Sequence, residues 1–334
     1  MAAILLFHQW INQFHFTAFI PLSGRSICPL LTLQGKPSMK RVELDKNLKV
    51  NPPALEGLRL AGLNVAVIGG TGGIGRAFSR QLAAKGARVL VVGQTFRDQN
   101  VPGIAFMQAD LSLMREARRI GRELPAETLD IVVFTTGIMA GPRREVTAEG
   151  IERDLAVSYL SRFVILNAIA SRLGRDRATA TFKSRIFVMG FPGTEQRADV
   201  ADLNSERRYK RFAAHSNTVA GNEVLVLEAA RRFADVDVFG LNPGFVKTDI
   251  RANLLGSRAL VSLINWLTSF MMVEPDAYAE RLVPLLVSPD LNGRSGVMLN
   301  NKAEAILPSP SSAERSYATA LMDASDRLIA RLAP

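Results

Sequence analysis

Cysteine is almost missing from these 334 residues: Cys28 is the only one. A single thiol excludes an internal disulfide and a thiolate metal site. Histidine is nearly as scarce. His8, His15 and His215 stand apart in the sequence, which argues against a histidine-based metal centre, so no metal site is expected. Acid is missing from the N-terminus, where the first carboxylate is Glu43 and no charged side chain lies between Ala2 and Ser23. His8, Gln9, Asn12, Gln13 and His15 break the apolar run there, so it makes a poor membrane span or secretory core. Two readings of this extension stand. It is a disordered tail or an over-long start, since Met39 and KRVELDKNLKV would begin a domain sensibly, or it is a weak targeting or membrane element.

The chain divides into that extension, residues 1–55, and one domain over residues 56–334, with no internal repeat and no low-complexity segment. Lys and Arg number 41 against 31 Asp and Glu, a net charge of +10. The basic clusters (Arg115/Arg118/Arg119/Arg122 is one) come with no nucleic-acid motif, so no nucleic-acid partner is expected. Attraction to phosphorylated cofactors or to an anionic membrane surface accounts for them more simply.

The most informative stretch is Asn64 to Ala84, NVAVIGGTGGIGRAFSRQLAA. An apolar run, Val65 to Ile68, meets a glycine-rich turn. A helical pattern follows with Ile74, Phe78 and Leu82 on one face and Gly86 as its C-cap. Strand, glycine turn and helix N-terminus together build a seat for a diphosphate, because backbone N–H groups can approach its oxygens closely. Further strand-like runs at Arg88–Val92, Ile104–Met107, Ile131–Phe134, Arg185–Met189, Val236–Leu241 and Val297–Asn300 alternate with helical stretches. That order predicts an α/β fold, a Rossmann-type doubly wound parallel sheet with helices on both faces.

The spacing of Gly69, Gly73 and Gly75 resembles the fingerprint of the short-chain dehydrogenase/reductase family, with Ile68 where a threonine is usual. Asp110-Leu111 resembles the aspartate site that contacts adenine, and Thr135-Thr136-Gly137 falls in the family's Asn-Asn-Ala-Gly motif. Asn242-Pro243-Gly244-Phe245-Val246-Lys247-Thr248 is similar to the loop beside the nicotinamide, and SGVMLNNKAEAILPSPSS to the tail of the retinol-dehydrogenase-like branch. The resemblance implies cofactor contacts at Gly69, Gly73, Ile74, Gly75, Asp110, Leu111, Thr136, Gly137, Pro243, Gly244, Val246 and Thr248.

The family's four catalytic positions are substituted. Alignment on the family's helices and strands puts Ser158 at the asparagine, Phe191 at the serine, His215 at the tyrosine and Val219 at the lysine. Tyr209 does not restore the pair, because Ala213 lies four residues on. In the family the lysine holds the nicotinamide ribose and lowers the tyrosine's pKa, while the tyrosine moves a proton at the substrate oxygen. Val219 does neither, and the phenyl side chain of Phe191 has no hydrogen-bond donor. His215 can transfer a proton, since an imidazole titrates near pH ~6.5. Either His215 is an alternative acid, with Ser158 the second candidate, or it is a tolerated substitution in a silent site.

The second strand ends in VLVVGQTFRD, without the acid that accepts both ribose hydroxyls of NAD. Arg76 and Arg97 are placed to reach a 2′-phosphate, which favours NADP(H) as cofactor. The stretch from about residue 250 to 273 falls where the family has its lid, and Leu254, Leu255, Trp266 and Phe270 make it apolar. It either covers a lipophilic substrate or packs into the core, and it is compatible with peripheral membrane contact. The expected function is an NADP(H)-dependent oxidoreductase acting on a lipophilic small molecule, with natural-product biosynthesis as the setting. A cyclase or isomerase on the same scaffold, or a silent nucleotide-binding protein, are the alternatives. A cytoplasmic location with membrane association is expected. The family implies a homo-oligomer through its fourth and fifth helices, but Arg162, Arg172 and Arg175 charge the fourth helix more than such an interface prefers.

Overall fold

The computed structural model describes residues 42–177, 181–244, 246 and 273–332. Five strands follow the apolar runs closely: β1 (Asn64–Ile68), β2 (Arg88–Gly93), β3 (Ile104–Gln108), β4 (Ile131–Phe134) and β5 (Ser184–Met189). They continue into β6 (Val236–Leu241), β7 (Met298–Leu299) and β8 (Ala305–Ile306). One sheet joins them in the order β3-β2-β1-β4-β5-β6-β7-β8. All pairs are parallel except β7 with β8. The strand order reverses between β1 and β4, where Ile68 pairs with Phe134, and the cleft above that point is the natural ligand site.

Successive residues of β1 serve opposite faces. Ala66 and Ile68 enter one apolar cluster, Val65 and Val67 the other, and all four are fully buried. A sheet covered on both sides needs such unbroken apolar strands, which is why the strands read as runs rather than as alternations. Helix α1 (Gly73–Ala84) and helix α5 (Pro275–Leu286) pack together on one face through Phe78 and Tyr278. The other face carries α2 (Met114–Glu123), α3 (residues 153–169), α4 (Arg211–Arg232) and α6 (Arg315–Ala330). Helix α3 runs in three parts: Arg153–Leu155, a π-helical segment Ala156–Leu160, and Ser161–Ile169.

The close approach of α3 and α4 depends on Gly221. A Cβ there would lie 2.8 Å from the ring of Tyr159. Asn222 fastens the same contact, its side chain donating to the Ser158 carbonyl at 2.8 Å. Two arginines that read as free surface charge on the fourth helix are engaged by other groups of the chain instead. Arg162 is 3% exposed, and Arg172 pairs with Glu127 at 2.8 Å while donating to the carbonyls of Gly121 and Leu124.

Residues 42–55, assigned by sequence to the extension, run along the domain. Leu44 bridges Ile306 of β8, and Asp45 N–H donates to Ala305 O at 2.9 Å. Val42 and Val50 pack against the two cores, so the packed unit begins at Val42 rather than at residue 56. Residues 1–41 and the lid stretch 250–272 lie outside the described residues. No helix among the described residues is long and apolar enough to cross a membrane.

Candidate active site

The glycine turn after β1 is folded tightly onto the end of β4. Gly69 takes φ +96°, and a Cβ on it would sit 2.5 Å from the Thr136 nitrogen. A Cβ on Gly75 would strike the Gly69 carbonyl and the Thr135 hydroxyl. Packing alone therefore demands glycine at both positions. The helix that follows adds a ligand argument. Gly72 caps α1 without a side-chain acceptor, and the first turn carries no acid. Its N–H groups and the positive end of the helix dipole are left for an external anion, and a dinucleotide's diphosphate fits that donor set. Ile74 and Leu111 are core side chains, so only their backbone can serve a cofactor.

The two arginines expected at the 2′-phosphate separate in role. Arg76 is committed to Asp98, its Nε at 2.9 Å and its Nη2 at 2.7 Å from the carboxylate. That carboxylate is 6% exposed and its pKa is held below the ordinary range, chiefly by the hydrogen bonds from Arg76. Arg97 is exposed, and its Nη1 lies 3.8 Å from where a Cβ on Gly72 would be. Arg97 is thus a cation beside the glycine turn with no hydrogen-bond partner among the described residues. Asp110 accepts from the Ser112 N–H at 3.0 Å, at the end of β3. Burial would raise its pKa, but hydrogen bonds from Ser112 and Gln94 outweigh that and lower it.

On the other side of β1, Thr136 and Gly137 follow β4. The Thr136 hydroxyl is buried with no hydrogen-bond partner among the described residues, an unmet polar group of the kind a ligand satisfies. Pro243 and Gly244 follow β6. Gly244 takes φ +62° and a Cβ on it would meet Asn301 Nδ2 at 2.8 Å. Val246 is buried and bridges Val273, while Thr248 lies outside the described residues.

The two residues singled out for chemistry converge on a third. His215 Nδ1 is 2.8 Å from Asp154 Oδ2, and Ser158 Oγ is 2.5 Å from Asp154 Oδ1. Asp154 is fully buried and also accepts from the Ala140 N–H at 3.1 Å. Ser158 is 5% exposed and accepts from the Ile138 N–H at 3.0 Å. Its hydroxyl is therefore engaged within the protein, and Ser158 supports Asp154 rather than facing a substrate. His215, 27% exposed, has no partner for Nε2 among the described residues. Burial alone would lower the imidazole pKa, but the hydrogen bond and charge of Asp154, with Glu152 beyond, raise it.

Nothing in the sequence marked Asp154. It stands four residues before Ser158, so both reach one side of the helix, and the π-helical segment carrying Ser158 is a common device at functional sites. Val219 is a 6%-exposed core side chain, and Phe191 is half-buried with its carbonyl accepting from Thr194 at 2.7 Å. A cavity of about 120 Å³ adjoins Asp154, lined by Ile138, Met139, Ala140 and Pro142 on its apolar side and by Glu145 and Glu152. Tyr209 donates to the carbonyl of Gly141, another lining residue, at 2.7 Å, and burial pushes its phenol up to about 12.

The short chain dehydrogenase family model matches residues 63–181. An uncharacterized oxidoreductase of Saccharomyces cerevisiae is 51% identical over 252 residues, covering 74% of this chain and 82% of that one. Retinol dehydrogenase 14 of Mus musculus is 27% identical over 80% of this chain and 86% of its own length. Among solved structures, the Pseudomonas aeruginosa RhlG/NADP active-site complex superposes with a TM-score of 0.54 at 21% identity, over 72% of this chain and 95% of that one.

Proposed function

The chain belongs to the short-chain dehydrogenase family and is an oxidoreductase of that type; from this premise we propose that it uses NADP(H) on a lipophilic carbonyl or alcohol, with His215 as the proton-transferring group. The observation that carries the reading is the 2.8 Å contact between His215 Nδ1 and the buried Asp154. A carboxylate on Nδ1 fixes the ring and its tautomer, and leaves Nε2 to exchange a proton with a substrate oxygen. When bound, the cofactor supplies hydride to the carbonyl carbon or takes it from the alcohol. His215 supplies the proton to the oxygen in reduction and removes it in oxidation, so the sum is carbonyl, reduced cofactor and proton against alcohol and oxidised cofactor. Because its pKa is raised by Asp154, the histidine needs no lysine neighbour to be a usable acid near neutral pH.

For the cofactor, Gly69 to Gly75 and the open first turn of α1 would hold the diphosphate, and the Thr136 hydroxyl would meet a ribose or phosphate oxygen. Arg97 beside the turn, with no acid at Gly93, Gln94 or Thr95, favours the 2′-phosphate form, and a neighbour in the fold was solved with NADP. Ile138, Met139 and Pro142 on one side of the cavity support a lipophilic substrate, as does the likeness to a retinol dehydrogenase. A natural product under reductive tailoring is a substrate of this kind, and contact with a membrane would ease its delivery.

The test is NADPH oxidation with a panel of lipophilic ketones and aldehydes, comparing the native chain with His215→Phe. Loss of turnover by roughly 10²-fold or more with cofactor affinity retained is expected. Equal turnover in the two proteins would remove His215 from the chemistry. The same acid–base pair would also suit a proton transfer without hydride. Product formed with no change in nicotinamide absorbance would identify that alternative.

A further inference from the structure

One buried cation without a task in this scheme lies beside the strand ends. Arg162 lies on α3 one turn beyond Ser158 and is 3% exposed. Its guanidinium donates to the carbonyls of Thr136 and Met189, and to Asn222 Oδ1 at 3.0 Å. All three acceptors are neutral, and its Nε has no partner among the described residues. Asp154 acts on it only through its field, since that carboxylate is engaged by His215, Ser158 and Ala140. A buried cation without a direct counter-ion is costly, and a long apolar side chain would fill the space more cheaply. Burial draws the pKa down to about 9, which still leaves the group charged at neutral pH.

Its place gives that charge a use. Met189 ends β5, and Thr136 lies two residues beyond β4. The cation thus sits at the C-terminal ends of these two strands, on the opposite side of the β1/β4 switch point from β2 and β3, whose ends lead to Arg97 and Asp110. A dinucleotide laid across the strand ends with its 2′-phosphate by Arg97 brings its nicotinamide to the Arg162 side. The nicotinamide ring carries a positive charge when oxidised and none when reduced, so a fixed cation nearby discriminates between the two forms.

We propose that Arg162 sets the redox preference of the cofactor site, its buried charge making the reduced dinucleotide bind more tightly than the oxidised one. The inference rests on the NADP(H) reading above. Two unit charges roughly 12 Å apart at the effective dielectric of a protein site, about 20, give a preference of roughly tenfold. At equal concentrations the site is then loaded chiefly with the reduced form, and the oxidised form leaves it more readily.

The experiment is calorimetric titration of the full chain with NADPH, NADP⁺ and adenosine 2′,5′-bisphosphate, repeated with Arg162→Gln, Arg162→Lys and Asn222→Asp. Glutamine keeps a hydrogen-bonding amide and loses the charge. Lysine keeps the charge. Aspartate at Asn222 leaves Arg162 in place and neutralises it, which covers a failure of the glutamine variant to fold. The native chain should bind NADPH roughly tenfold more tightly than NADP⁺. The ratio should fall toward one in Arg162→Gln and Asn222→Asp and persist in Arg162→Lys, with the bisphosphate bound equally by all. A ratio near one in the native chain, or one that the neutralising variants leave unchanged, overturns the proposal. Failure of the native chain to bind any of the three nucleotides overturns the cofactor reading itself.

Discussion

His215 and Asp154 meet at 2.8 Å across two helices, joining residues 61 positions apart in the sequence. The carboxylate is fully buried and the imidazole 27% exposed, so one partner is fixed by the core while the other keeps part of its ring accessible. Asp154→Asn should therefore lower the His215 pKa toward or below about 6.5. Three histidines in the whole chain make its ring resonances simple to assign by NMR titration. An unchanged titration curve would refute the coupling.

The same pair makes stability depend on pH. The folded-state pKa of His215 lies above its unfolded value of about 6.5. Its contribution to stability is thus complete below about pH 6.5 and disappears as pH rises through the raised folded value. Denaturation of the native chain and of His215→Phe across pH 5 to 9 should show a gap that narrows with rising pH. Glu152, Tyr209 and Arg162 share the neighbourhood, so the difference between the two proteins is the informative quantity.

Gly221→Ala should cost about 1–3 kcal/mol, because the added methyl overpacks the α3–α4 contact at the Tyr159 ring. The test is a urea melt paired with the His215 titration. Loss of stability together with a His215 pKa returning toward its ordinary value is the expected result. Native stability would show that the helices can part freely.

The two arginines by the glycine turn should respond differently. Arg97→Ala should weaken NADPH roughly tenfold, leave NADH affinity unchanged, and spare the melting temperature. Arg76→Ala should lower the melting temperature, because it strips the partner from Asp98, which is 6% exposed. Equal effects of both substitutions on NADPH affinity would mean that Arg76 also reaches the phosphate.

The glycine turn and the central strands were legible because their signals are local. Val65–Ile68 is an apolar run ending in glycines, and its neighbours repeat the pattern. Strand β8 was not, since Ala305–Ile306 is two residues long and carries no periodicity. Asp154 looked like an ordinary acid at the start of a helix, and only the α3–α4 approach gives it His215 as partner. Arg162 is the sharpest case. An arginine among apolar residues reads as an exposed charge, whereas its ring of carbonyl acceptors exists only once β4, β5 and α4 are assembled. The Arg76–Asp98 pair was hidden likewise by a separation of 22 positions.

The segment around Leu44 bears on how this protein should be handled. Strand β8 ends the sheet, and a bare terminal strand presents unpaired N–H and C=O groups that recruit other chains. Here Glu43, Leu44 and Asp45 occupy part of that row through their contacts with Leu307, Ile306 and Ala305. A chain trimmed at residue 56 to tidy its N-terminus would lose these contacts and should aggregate on standing, whereas one trimmed at Met39 should stay dispersed. Light scattering on the two would separate them within hours.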